Sequence, residues 1–175
     1  MINKKDINQI SQLLNVNKIK KYELISKSFD INCLKIQLEN NEQFIVKYYT
    51  NKKLSFNAIE SELKNLIFLK KKNLNFFPKI KIKNNKYLII AFINNNNKQP
   101  QLTKKDLLES IIEIHKIKSD QYGFDFNTQI GGLEIINTFQ NNWVNFFRDK
   151  RLYYIFNLIN KKNLIYTHLA KKIER

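Results

Sequence analysis

From Ile31 to Tyr49 the chain reads INCLKIQL, then ENNE, then QFIVKYY: two β-rich runs on either side of a turn-prone tetrapeptide. Such a pattern predicts an antiparallel hairpin. Period-two alternation in the second run sets Ile45, Lys47 and Tyr49 on one face and Phe44, Val46 and Tyr48 on the other. A lysine on an apolar strand is costly if buried without a partner. Lys47 is therefore the first residue to question, against the commoner case of a solvent-facing lysine.

The neighbouring patterns give the hairpin its setting. Upstream, Ile7, Ile10, Leu13 and Leu14 recur at helical spacing, and KKYELIS follows as a strand. Downstream, residues 57–72 place Ile59, Leu63, Leu66, Ile67 and Leu69 on an apolar helical stripe, which ends in Lys70, Lys71 and Lys72. That helix carries two acidic residues within reach of Lys47, Glu62 and Glu60. After Pro78, KIKIK and KYLIIAFI flank a two-Asn turn and predict a second hairpin.

Past Ile93 the pattern changes. NNNNKQP is polar and turn-rich, a linker. Beyond it the chain reads as helix or loop: helices over 103–118, about 141–160 and 164–174, with a glycine-containing loop from Tyr122 to Leu133. The order predicts an α+β protein-kinase-like layout. Residues 1–93 form a small antiparallel-sheet lobe with one helix, 94–100 a connector, and 101–175 the first helices of an incomplete helical lobe. In such a fold a nucleotide lies against the connector between the lobes.

Composition narrows the partners. The formal net charge of +16 points toward nucleic acid. However, the 31 Lys and Arg are scattered in twos and threes, and with 3 Gly, 2 Pro and 1 Met against abundant Asn, Ile and Phe they fit AT-rich codon drift better than a binding stripe. No apolar run is long enough to cross a bilayer, and the N-terminus lacks a signal-peptide core, so the expectation is a cytoplasmic protein. Cys33, the single cysteine, has no metal-ligand spacing around it and reads as core, while His115 reads as a packed or capping residue and His168 as solvent-facing.

Several motifs together resemble the fructosamine (ketosamine) kinase family, relatives of the aminoglycoside and choline kinases. They are NTFQNNWVNFFRDKRL at 137–152, YGFD with Gly123 and Gly131, LLESIIEIHK ending at His115, FIVK ending at Lys47, Glu62 with Leu66, Leu69 and Pro78, and the DIN turn at 30–32. The resemblance covers about residues 20–165 and implies ATP with Mg²⁺ and a sugar-amine substrate. It implies that Lys47 holds the α- and β-phosphates and is oriented by Glu62, and that Ile90, Ala91 and Phe92 border the adenine through backbone groups. It also implies that Asn137, Trp143 and Arg151 line the substrate side. Three departures accompany it. Ser28 and Phe29 stand where relatives have two glycines, Ala91 replaces an acidic residue, and Phe139 replaces the first of two tryptophans. The family's catalytic loop, HGDLWSGN, which supplies the general base and a metal-binding Asn, does not occur in the 175 residues, nor does the later metal-binding Asp that follows it in the family. No catalytic or metal-ligating residue is therefore assigned. The expectation is a truncated kinase, or else a non-catalytic nucleotide- or partner-binding remnant, with self-association through exposed helical faces; a nucleic-acid-binding protein is the least favoured reading.

Overall fold

The computed structural model describes residues 2–28, 30–50, 56–84, 86–94, 103–130 and 133–161. It divides into two compact units, residues 1–116 and 117–175. Of the expected connector only Asn94 lies among the described residues, and the expected helix at 164–174, with His168, lies outside them.

The first unit opens with α1 (Lys4–Leu14), whose N-cap Asn3 accepts from the Lys5 amide at 3.0 Å and whose C-cap Asn15 takes φ 54, a left-handed conformation that Asn tolerates. Five antiparallel strands follow around one helix: β1 (Ile19–Ser28), β2 (Ile31–Leu38), β3 (Gln43–Tyr49), α2 (Ala58–Lys71), β4 (Ile80–Lys83) and β5 (Tyr87–Ala91), in sheet order β1-β2-β3-β5-β4. The β2–β3 hairpin closes at ENNE with Asn41 at φ 66. Asp30 at φ 60 turns β1 into β2, and its carbonyl accepts the Thr50 amide at 2.8 Å, tying that turn to the end of β3. Of the turn expected to lack glycine, Ser28 ends β1 and Phe29 lies outside the described residues.

Burial in β3 alternates as its sequence requires: Phe44, Val46 and Tyr48 are buried, and Ile45, Lys47 and Tyr49 are half-buried. The buried face joins Leu34, Ile36, Tyr87 and Ile89 beneath α1, through Ile10. A polar seam fixes α1 there: the Tyr87 hydroxyl donates to Gln9 at 2.7 Å, and Lys86 reaches Asp6 at 3.3 Å. The other face packs Ile31, Ile45, Tyr49, Leu88 and Ile90 against Ile59, Leu63 and Leu66 of α2. The sheet is thus covered on both sides by helices of the same unit.

α3 (Thr103–His115) completes this unit, and here pattern and packing part. Leu107, Leu108, Ile111, Ile112 and Ile114 are all exposed, as is His115; of the packed and capping roles expected for His115, its place in the last turn of α3 leaves only the second. Cys33 also departs from expectation: it is half-buried on the α2 face rather than in the core.

The second unit contains a small hairpin, β6 (Thr128–Ile130) and β7 (Leu133–Ile135), where the sequence suggested only loop. Strands of three residues are too short for alternation to reveal. A continuous helical run follows: α4 (Trp143–Phe147), a π-helical turn over Arg148–Tyr153, and α5 (Tyr154–Lys161). Gly131 lies outside the described residues.

Leu34 is fully buried between α1 and the sheet. Leu34→Ala is expected to cost about 2–5 kcal/mol by lost transfer energy and the cavity left behind, measurable by urea unfolding. A cost below about 1 kcal/mol would mean that α1 does not seal this face.

Candidate nucleotide site

Lys47 is held where its strand and helix meet. From β3 its Nζ donates to both carboxylate oxygens of Glu62 on α2, each at 2.7 Å. Both side chains are about a quarter exposed, 27% and 23%, so the pair is only partly desolvated. Glu62 faces the sheet because it shares a helical face with Ile59, Leu63 and Leu66. Glu60, the alternative acid, points away and pairs with Lys64 at 2.8 Å. A cation fixed by a bidentate carboxylate and backed by apolar packing can neutralise a phosphate without being reorganised to do so.

The residues around Lys47 complete one sheet face. Cys33 on β2 is its register partner and Leu88 on β5 lies on its other side. Burial raises the Cys33 thiol pKa, with the Lys47 charge working in the opposite direction. On one side of Lys47 the face is closed, because the Tyr49 hydroxyl accepts the Ala58 amide at 2.7 Å and clamps the start of α2. On the other side it continues through Ile45 and Ile90 to the end of β5. There the Ala91 amide donates to Lys79 O at 2.8 Å and the Phe92 amide to Gln43 O at 3.1 Å. With those two donors spent in the sheet, the first amide past it belongs to Ile93.

The second unit holds the other expected residues, and it treats them differently. Asn137 is buried at 4% exposure and its polar atoms are all engaged. Its side-chain amide donates to Phe126 O at 3.2 Å and Thr128 Oγ1 at 2.9 Å, and its Oδ1 accepts from Arg151 Nη2 at 2.7 Å. Arg151, in the π-helical turn, also donates to Ile136 O at 2.7 Å and lies 4.7 Å over the Phe146 ring. Trp143 is instead half exposed, with Tyr122 and Phe147 each 5.6 Å away between ring centroids. Asn137 and Arg151 thus form a latch from the β7 loop to the helix, and Trp143 carries an open aromatic surface.

Gly123 belongs to the same latch. Its φ of 144 is open to glycine, and an added Cβ would lie 2.7 Å from Asn137 O and 2.8 Å from the Phe139 Cα. The sequence reading did not single out Lys35 on β2, whose Nζ stands 3.8 Å over the Phe92 ring. Period-two placement on the Lys47 face was the signal that could have found it. Among the described residues no cluster of three His, Cys, Asp or Glu side chains could hold a metal, and no helix is long and apolar enough to cross a membrane.

A five-stranded antiparallel sheet whose third strand carries a lysine bonded to a glutamate of the following helix is the layout of the smaller lobe of a kinase-like fold. The fold is shared with solved proteins. A structure from Haemophilus somnus 129PT assigned as a fructosamine-3-kinase superposes at TM-score 0.77 with 22% identity, over 97% of this chain and 58% of that one. One from Thermobifida fusca YX-ER1, assigned likewise, gives 0.78 and 13% over 96% and 59%. The fructosamine kinase family model matches residues 2–175, so the chain belongs to the fructosamine kinase family. A protein of Pasteurella multocida (strain Pm70) named as a ketoamine kinase is 29% identical over 68 residues, 38% of this chain and 24% of that protein. The chain thus spans well under two thirds of the length of these relatives.

Gly123→Ala is expected to lower stability by on the order of 2 kcal/mol or more, through the backbone clash and the unfavourable φ. Arg151→Met, which leaves the buried Asn137 oxygen without its donor, should cost about 1–3 kcal/mol. Chemical unfolding followed by the fluorescence of Trp143, the single tryptophan, measures both. Unfolding midpoints equal to that of the unmutated chain would show that the latch carries no stability.

Proposed function

We propose that this chain binds ATP as part of a ketosamine kinase. The observation that carries the reading is the bidentate Lys47–Glu62 pair on the open part of the α2 face. In this reading residues 1–93 are the nucleotide-binding lobe, 94–100 the connector, and 101–175 the first part of a helical substrate lobe. Lys47 neutralises the α- and β-phosphates and Glu62 holds it in place. The chain from Ile90 through Phe92 borders the adenine, and because the Ala91 and Phe92 amides are engaged in the sheet, the donor to the base comes from Ile93 onward.

The substrate in this reading is a sugar-amine hydroxyl that would accept the γ-phosphoryl group. Trp143 offers it an exposed ring, while Asn137 and Arg151 act through the shape of the loop they hold. The family's catalytic loop does not occur in these 175 residues, and among the described residues no three His, Cys, Asp or Glu side chains are grouped to hold a metal. No chemical step is therefore assigned to these 175 residues by themselves. A non-catalytic nucleotide- or partner-binding module is the second reading, favoured by Ser28 standing where relatives have a glycine in the turn before Asp30. The family points to a small-molecule substrate rather than nucleic acid, and a cytoplasmic location, where ATP is plentiful, fits both readings. The exposed apolar residues of α3 further suggest self-association, measurable by sedimentation velocity.

Titration calorimetry of the 175-residue chain with ATP should show saturable binding, and Lys47→Met should weaken it at least about tenfold, as expected for a lost charge-assisted contact. Equal binding by Lys47→Met, with its thermal melt intact, would remove the phosphate role. No turnover of a ketosamine is expected from this chain alone; phosphorylated product from it would show that a catalytic centre is present after all.

A further inference from the structure

The Lys47 face contains a second cation that the function above leaves unused. Lys35 is half-buried on β2; Glu23 is its register partner on β1, yet among the described residues no carboxylate comes within ion-pair distance of it. Its register partner on β3 is Ile45, and Ile45 is in turn the partner of Ile90, so Glu23, Lys35, Ile45 and Ile90 form one row across four strands. Phe92 lies two residues past Ile90, on the far flank of β3 from Lys35. To stand 3.8 Å over that ring, the Lys35 side chain has to reach across β3.

A lysine bound in this way has been committed to one place. Its four-carbon stem loses rotamer freedom, and the contact that holds it is the ring quadrupole of Phe92. Phe92 is the last residue whose amide is bonded to the sheet, to Gln43 O at 3.1 Å. Its backbone is therefore pinned from one side and its ring from the other. The direction in which the chain leaves β5 at Ile93 is set by these two contacts together.

We propose that Lys35 is a positioning residue for the nucleotide base: its cation–π contact clasps Phe92 so that the backbone after it is presented to the base. The inference rests on the nucleotide-binding reading above and adds a second point of control to the site. Lys47 governs the phosphate end, and the Lys35–Phe92 clasp governs the base end without touching the nucleotide. The two ends can then be separated by a ligand that has phosphates and no base.

The test is calorimetric titration of the full chain with ATP and with inorganic tripolyphosphate. Lys35→Ala and Phe92→Leu should each weaken ATP about fivefold and leave tripolyphosphate affinity unchanged, the double variant should be no worse than either single one, and Lys35→Arg should retain ATP affinity. Lys47→Met should weaken both ligands, which identifies the phosphate end. Thermal melts show that each variant is folded. The clasp is overturned, with the nucleotide reading intact, if Lys35→Ala leaves ATP affinity unchanged or tightens it, if both ligands weaken equally, if the single effects add, or if Lys35→Arg behaves like Ala. Failure of the unmutated chain to bind ATP overturns both.

Discussion

The Lys47–Glu62 pair is where sheet and helix become one object. Lysine on β3 needs a partner if its strand is to be covered, and α2 supplies the partner on the same face that supplies the covering residues Ile59, Leu63 and Leu66. Packing and charge therefore specify the same helix phase. Rotating α2 by one residue would remove the carboxylate and expose the apolar stripe together. A half-buried ion pair contributes modestly to stability after desolvation, so its consequence lies more in fixing register than in energy.

Much of the first unit was legible because its periods are long enough to be distinctive. Seven residues of β3 alternate cleanly, and their observed burial matches the sequence residue by residue. The choice between Glu62 and Glu60 was also present in the sequence, since only Glu62 lies three and four residues from the neighbouring apolar positions, Ile59 and Leu66, of the sheet-facing stripe. The β6–β7 hairpin was not legible, because three-residue strands carry no usable period. The exposure of α3 was hidden for a different reason. Periodicity states which residues require cover, and α3 has the stripe without cover in its own unit.

The second unit shows how a distinctive motif can be located without its roles being known. The spacing from Asn137 to Arg151 is distinctive, and the two do meet, at 2.7 Å. What they meet for is internal: Asn137 binds the β6 side, Arg151 binds the β7 side and the Phe146 ring, and the loop and helix close around them. A buried amide whose donors and acceptor are all satisfied is hard to replace, because every substitute leaves one of its partners unpaired. That constraint ties Asn137 and Arg151 to each other whether or not a substrate touches them. Phe146 and Trp143, three residues apart on one helix, then divide between core and surface, with 5% and 51% exposure.

The charge of the chain leads to the same distinction. Thirty-one basic residues give a total that resembles a nucleic-acid binder, yet the total says little about recognition. Lys64 and Lys105 sit one turn from an acid on exposed helix surfaces, and Lys116 pairs likewise just past the end of α3, where pairing is weak and geometry loose. Lys47 and Lys35 are held instead, one by a carboxylate and one by a ring, on a face whose floor is apolar. A fixed cation selects where an anion or an aromatic ring can sit, whereas a mobile one only raises the local potential. In the proposed reading the lysines with the least freedom are the ones that meet the nucleotide, and the excess charge around them is free to vary.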